Sequence, residues 1–194
     1  MEPKRVDGAR PPATRRPFQQ GTCLCSVIAM TKQILCSVCG QPLLDGEARY
    51  YFPTLAEGHS LSAFAGIAHV ECLRRENERL SIGKQLSDMR ESMARADFSE
   101  RYARDGNVLL RGRLADEGKI EIYDCEDFCD FSLEKSTALM FERGEMNQVV
   151  TPLISLVANE NRLTYTCVRP SFSLKLEAIS TSRLRELLRS FFEM

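Results

Sequence analysis

The chain has 194 residues, of which 43% are hydrophobic and 27% are charged, and its formal net charge is −1. This balance is typical of a folded globular protein and argues against disorder throughout. No apolar run approaches the roughly 20 residues that a bilayer-spanning helix needs, which argues against a membrane-spanning protein.

The first 29 residues are predicted to add nothing to the fold. Residues 3–17 are rich in proline and arginine and cannot bury enough apolar surface to become ordered. We expect a disordered tail in residues 1–29, or an upstream extension if Met30 is the true start. As an alternative, residues 14–29 combine an Arg-Arg pair with a short apolar stretch that ends at Ala29, which resembles a twin-arginine export signal.

Two residue pairs carry the clearest chemical signal. Two residues separate Cys36 from Cys39 and His69 from Cys72, and 29 residues lie between the pairs. Two thiolates on a tight turn can bind one ion, and a His and a Cys three residues apart lie on one side of a helical turn. Gly40 suits such a turn. The sequence therefore predicts one structural Zn2+, whose four protein ligands leave no coordination position for a substrate.

The residues between these pairs predict the rest of a small finger. The Asp-Gly pair at residues 45–46 is a two-residue turn signal, so residues 41–52 are predicted to form a hairpin. A loop follows, and His69 is expected to open a helix. A turn with two ligands, a hairpin and a helix with two ligands describe a treble-clef zinc finger, which we assign to residues 30–82.

Residues 83–106 are predicted to form a helical connector. An apolar stripe at helical spacing marks its main helix, and it contains Leu86, Met89, Met93 and Ala96. We expect this face to pack on the C-terminal part of the chain, and the alternative is a homodimer seam through the first three of these residues.

A further short helix is expected at the end of the connector. Asp97 and Glu100 match a capping box, which predicts a helix that carries Phe98 and Tyr102.

The region from residue 107 to 194 is predicted to be an α+β domain. The hydrophobic period changes there from near 3.6 to 2, which is typical of half-buried antiparallel strands. The alternation is clear in residues 108–111, 119–123, 163–168 and 172–178. Residues 180–182 cap a final helix whose apolar face should pack on the antiparallel sheet. Periodicity assigns the apolar runs of residues 132–158 neither to strand nor to helix.

Residues 116–134 are strongly acidic. They hold eight carboxylates against one lysine, a net charge of −7, and such a segment attracts basic surfaces. We predict that it forms a contact surface for a protein partner with a basic surface. The residues expected to make this contact are Asp116, Glu117, Asp124, Glu126, Asp127 and Asp130.

The ligand spacing over residues 36–72, with Arg49 three residues beyond Gly46, resembles the zinc finger of poly(ADP-ribose) polymerases. It is less closely similar to the first half of a LIM module. The first resemblance implies a zinc ion and contact with broken DNA. The arginines that would make a nucleic-acid contact are Arg49, Arg74, Arg75 and Arg79.

Charge and composition rank the functional expectations. Residues 30–105 contain 10 Lys and Arg against 11 Asp and Glu, whereas a nucleic-acid-binding finger usually carries a basic surface. The chain contains only two histidines, so general acid–base chemistry has few candidates. Eight cysteines, some at metal-ligand spacing, favour a reducing compartment. We expect a cytoplasmic, non-enzymatic protein-binding module (adaptor, regulator or inhibitor), with nucleic-acid binding as the alternative.

Overall fold

The computed structural model describes residues 33–97, 100–113 and 118–194. Within these ranges the chain is mixed α/β, with four α-helices and three antiparallel sheets. The tail at residues 1–29 and the export signal considered at 14–29 lie outside the described residues, as do Phe98, Asp116 and Glu117.

The N-terminal part is a two-stranded sheet followed by a helix. Strand β1 (Arg49–Phe52) pairs antiparallel with β2 (Gly66–His69), and α1 (Val70–Leu80) follows at once. The hairpin predicted at residues 41–52 is therefore wrong. The residues before the Asp-Gly turn pair instead with the segment that precedes Cys36. The Leu43 N–H donates a hydrogen bond to the Ile34 carbonyl over 2.9 Å.

Two helices meet at a sharp corner. Helix α1 ends at Leu80 because Ser81 adopts a left-handed conformation with φ of 52°, and α2 (Ile82–Ala96) begins immediately after it. The short helix predicted from Asp97 is wrong, because residues 100–105 form a strand. Glu100 is not available to cap a helix, since its carboxylate lies 2.6 Å from Arg111 Nε on the neighbouring strand.

Two four-stranded meanders, each followed by a helix, make up the rest of the chain. The first has the order β3 (Glu100–Asp105), β4 (Val108–Arg113), β5 (Lys119–Asp124), β6 (Cys129–Glu134), and is followed by α3 (Lys135–Glu142). The second contains β7 (Gln148–Val150), β8 (Ile154–Asn159), β9 (Arg162–Cys167) and β10 (Phe172–Leu176), and is followed by α4 (Thr181–Glu193). Residues 132–158 thus contribute the end of one meander, a helix and the start of the next.

The C-terminal helix forms where the sequence predicts it. Ser180 caps α4, where its hydroxyl accepts a hydrogen bond from the Arg183 N–H. On α2, Leu86 is fully buried in a core cluster that spans the finger and both meanders, whereas Met93 is 43% exposed. Met89 is half-buried and Ala96 is exposed. The stripe therefore packs on the core only at its first two residues, and a seam between two copies would lack Leu86.

The corner between α1 and α2 rests on the turn at residues 125–128, which joins β5 to β6. Glu126 accepts hydrogen bonds from Asn77 Nδ2 over 2.8 Å and from Asn107 Nδ2 over 2.6 Å. Asn77 Oδ1 in turn accepts from the Gly83 N–H over 2.7 Å. A Cβ atom at Gly83 would lie 2.6 Å from the Cys125 carbonyl oxygen. Glycine at position 83 therefore allows the first turn of α2 to pack closely against the β5–β6 turn.

We expect Gly83→Ala to destabilise the protein. Replacing a helical glycine by alanine usually stabilises by about 1 kcal/mol, but here the added methyl group meets backbone, and such overpacking costs about 1–3 kcal/mol. Urea unfolding measures the effect, with Lys84→Ala at the adjacent exposed position as the control. A gain in stability for Gly83→Ala would contradict the close packing of this corner.

Candidate metal centre

Cys36, Cys39, His69 and Cys72 converge on one point. Each offers a ligand atom, and these four atoms all lie within 4.8 Å of one another. The Cys36/Cys39 pair and the His69/Cys72 pair predicted from the sequence are thus brought together, and the cluster is compatible with a zinc finger.

The distances within the cluster match tetrahedral coordination. His69 Nδ1 lies 3.6 Å from Cys39 Sγ and 3.6 Å from Cys72 Sγ. An ion held at about 2.3 Å from sulfur and about 2.0–2.1 Å from nitrogen has tetrahedral edges of about this length. The distances from His69 to these two thiols therefore fit one shared metal ion.

A tight knuckle positions the first two cysteines. The Gly40 N–H donates to the Cys36 carbonyl over 2.9 Å, and Gly40 adopts a left-handed φ of 71°. Burial opposes ionisation of Cys36, but backbone N–H groups, chiefly those of Cys39 and His69, outweigh it and lower the pKa of its thiol to about 6. The knuckle therefore stabilises a thiolate, which is the form that binds metal.

The second pair lies at a junction between a strand and a helix. His69 is the last residue of β2 and the N-cap of α1, with extended backbone angles, so the helix begins one residue later than the sequence predicts. Cys72 lies in the first helical turn. Burial and the neighbouring thiols raise the pKa of Cys72 to about 12, because a second negative charge in this cluster is unfavourable without a cation.

Glu47 supports the histidine, and the sequence analysis missed it. Its Oε2 lies 3.1 Å from His69 Nε2, on the side of the ring that faces away from the cluster. The Leu44 N–H, which donates to the same oxygen over 2.8 Å, and then His69 lower the pKa of this carboxyl group. A carboxylate on the outer nitrogen of a ligating histidine fixes the ring and directs Nδ1 towards the metal.

Most of the described acidic residues predicted to contact a partner are engaged within the chain. Asp127 is only 3% exposed and accepts hydrogen bonds from the N–H groups of Glu177 and Ala178 over 2.5 and 2.8 Å, and it pairs with Arg74. Glu126 holds the helical corner described above. Asp130 lies 2.6 Å from Arg90. Counting charges along the chain suggested a contact surface, but these carboxylates join elements of the fold.

Asp124 contradicts the surface prediction most directly, because it is fully buried. Its Oδ1 accepts from the N–H groups of Glu126 and Asp127, whereas its Oδ2 has no hydrogen-bond partner among the described residues. Burial, and then the charge of Asp127, raise the pKa of Asp124 to about 8. The folded protein therefore keeps this carboxyl group protonated at neutral pH.

The four arginines of the nucleic-acid alternative do not form one free patch. Arg49 donates to the Leu44 carbonyl over 2.8 Å, and Arg79 pairs with Glu76 over 2.7 Å. Arg74 binds Asp127. Arg75 is exposed. Three of the four guanidinium groups thus already have partners inside the chain.

Comparison with known proteins finds no matching family model, no matching curated protein and no matching solved structure. In the part of the chain that the structure describes, no helix has the length and apolar character needed to cross a membrane.

We expect Glu47→Gln to weaken metal binding by about 10–100-fold, because loss of a carboxylate partner lets the His69 ring reorient. Competition against a chromophoric chelator measures the affinity. Glu57→Gln, which removes the same charge from an exposed loop of the finger, is the control. Equal affinities for the two variants would show that Glu47 does not support the metal ligand.

The protonated state of Asp124 predicts a pH-dependent effect of Asp124→Asn. The unfolded carboxyl group ionises near its ordinary pKa while the folded one does not, so wild type loses stability as the pH rises from about 4 to about 8. The asparagine cannot ionise. We expect the stability of the variant relative to wild type to increase by up to about 1.4 kcal/mol per pH unit in this window. Urea unfolding at pH 5 and pH 8 measures it, and a pH-independent difference would contradict the assignment.

Proposed function

We propose that the chain is a non-enzymatic protein-binding module whose N-terminal part is a treble-clef finger built around one structural Zn2+. The observation that carries the proposal is the set of four converged donors, which fills a tetrahedral site and fixes a knuckle with exposed apolar side chains. Zinc supplies folding energy at such a site and leaves no position for a substrate.

The donor set and the order of elements support zinc and the treble clef. Three thiolates and one imidazole suit Zn2+ better than the oxygen-preferring Mg2+ or Ca2+. A knuckle with two ligands, a two-stranded sheet and a helix that carries Cys72 in its first turn follow one another along the chain. The finger has few large buried side chains of its own, such as Phe52 and Leu73, so a metal ion adds stability that its small core does not supply.

Exposed aliphatic side chains on the knuckle support a protein partner. Ile34, Leu35 and Leu44 are 50%, 53% and 59% exposed. They belong to adjacent segments, because Leu35 bridges to Pro42 and the next residue, Leu43, donates to the Ile34 carbonyl. Grouped apolar residues at a protein surface are typical of contact sites. We therefore place the partner contact on the knuckle and not on the acidic segment.

Metal analysis tests the first part of the proposal. We expect one zinc ion per purified chain and its loss in Cys39→Ser, because the exposed Cys39 supplies one of four ligands and contributes little to the core. Ser37→Ala, which leaves every ligand in place within the same turn, is the control. Wild-type protein that stays metal-free after refolding with zinc would refute the metal site.

Comparative affinity capture tests the second part. The Leu35→Ser/Leu44→Ser double variant is compared with wild type and with Val150→Ser, which removes an apolar side chain that is 65% exposed on β7. We expect the double variant to retain zinc and lose at least one protein that wild type and Val150→Ser both capture. The knuckle contact is refuted if the three proteins capture the same set.

A further inference from the structure

A cavity at one end of the first meander combines positive charge with aromatic side chains. Its enclosed part measures about 80 Å³, and the rest of it is open to solvent. Four cations from different elements line it, together with two rings of α4: Arg101, Arg113, Lys119, Lys135, Phe191 and Phe192. These cations lie on β3, β4, the start of β5 and the start of α3, and the fold brings them together.

Within residues 33–97, 100–113 and 118–194, the positive charge of this cavity is incompletely neutralised. No carboxylate among the described residues lies within ion-pair distance of Lys135. The nearest described carboxylate to Arg113 is that of Glu100, at 4.0 Å, and this carboxylate already binds Arg111 over 2.6 Å. Lys119 has one loose pair, with Glu134 at 3.7 Å. Two of the four cations thus lack a close carboxylate of their own in the part of the chain that the structure describes.

Two backbone carbonyls of α4 hold the Arg101 side chain in position. Its Nη1 donates to the Phe191 and Phe192 carbonyls over 3.3 and 3.4 Å, so it caps the C-terminal end of α4. A guanidinium carries five N–H donors in a rigid fork. The donors that do not bind these carbonyls remain for a ligand.

An aromatic wall makes the cavity suitable for more than a bare ion. The Phe191 and Phe192 rings lie edge to face, with centroids 5.8 Å apart. A Cβ atom at Gly112 would lie 2.9 Å from Phe191 Cζ, so the glycine lets this ring lie against the sheet. Phe191 is only 5% exposed and Phe192 is half-buried, so Phe192 supplies most of the apolar surface next to the cationic groups.

We propose that this cavity binds a phosphate monoester that carries an apolar, ring-sized group. A phosphate monoester is close to a dianion at neutral pH and offers three acceptor oxygens. Arginine and lysine together bind such a group through forked hydrogen bonds and point charges. The ring attached to the ester oxygen packs against Phe192, whose own ring rests on the buried Phe191. This site is separate from the metal ligands, and its test does not depend on the proposed partner contact.

The proposal is tested on the full zinc-loaded chain by calorimetric titration at constant ionic strength. The probes are phenyl phosphate, inorganic phosphate and a short glycine-flanked phosphotyrosine peptide. We expect saturable binding of phenyl phosphate that is about tenfold tighter than that of inorganic phosphate, because the ring adds apolar contact. Tighter binding of the peptide assigns the ester to a protein, and equal binding assigns it to a small molecule.

Charge-matched double variants separate a specific site from general attraction. Arg113→Gln/Lys135→Gln removes two exposed cations of the cavity, and Arg75→Gln/Lys84→Gln removes two exposed cations elsewhere. We expect about tenfold weaker binding of phenyl phosphate for the first pair and less than about twofold for the second. Absence of saturable binding by wild type, equal affinity for the two phosphates, or equal weakening by both pairs would overturn the proposal.

Discussion

The structure depends on the turn that joins β5 to β6, because this turn connects the finger to the sheets. Asp127 binds Arg74 of α1 and the backbone that leads from β10 to α4. Glu126 binds Asn77 at the end of α1 and Asn107 ahead of β4. Each of these two carboxylates accepts hydrogen bonds from donors on separate elements. Loss of one donor would leave a partly buried charge without its partner in a low-dielectric interior, which destabilises the fold. The finger and the meanders consequently share one core.

The acidic segment shows why charge counted along a sequence is a poor guide to a surface. Eight carboxylates in residues 116–134 suggested an exposed contact, since buried carboxylates are rare without partners. Their partners Arg74, Asn77 and Arg90 lie 53, 49 and 40 residues away in the sequence, and no local pattern identifies them. The sequence does contain one indication that part of this segment is buried. Cys129, Phe131 and Leu133 alternate with polar residues, which is the pattern of a half-buried strand such as β6.

The metal ligands could be predicted because thiol spacing is a local property, whereas their support could not. Glu47 is 22 residues from His69, and only the pairing of β1 with β2 and the turn before β1 bring the two together. The hairpin at residues 41–52 and the helix after Asp97 failed for a related reason. Turn and capping signals describe short segments, and pairing with a distant strand or with the knuckle overrode them. Strands β4, β5, β9 and β10 and the final helix were predicted because their apolar residues recur regularly, whereas β7 and β8 lie in a run whose periodicity is ambiguous.

The repeated order of four strands and a helix bears on how the chain reaches its fold. Within each meander every pair of neighbouring strands is also consecutive along the chain, so strand pairing closes only short loops. Proteins with such local contacts tend to fold quickly, because little chain entropy is lost before the first contacts form. We expect the two meanders to form early and the finger to dock later, when the β5–β6 turn presents its carboxylates to α1 and α2. Docking of the finger on the β5–β6 turn, rather than formation of either sheet, would then limit the rate of folding.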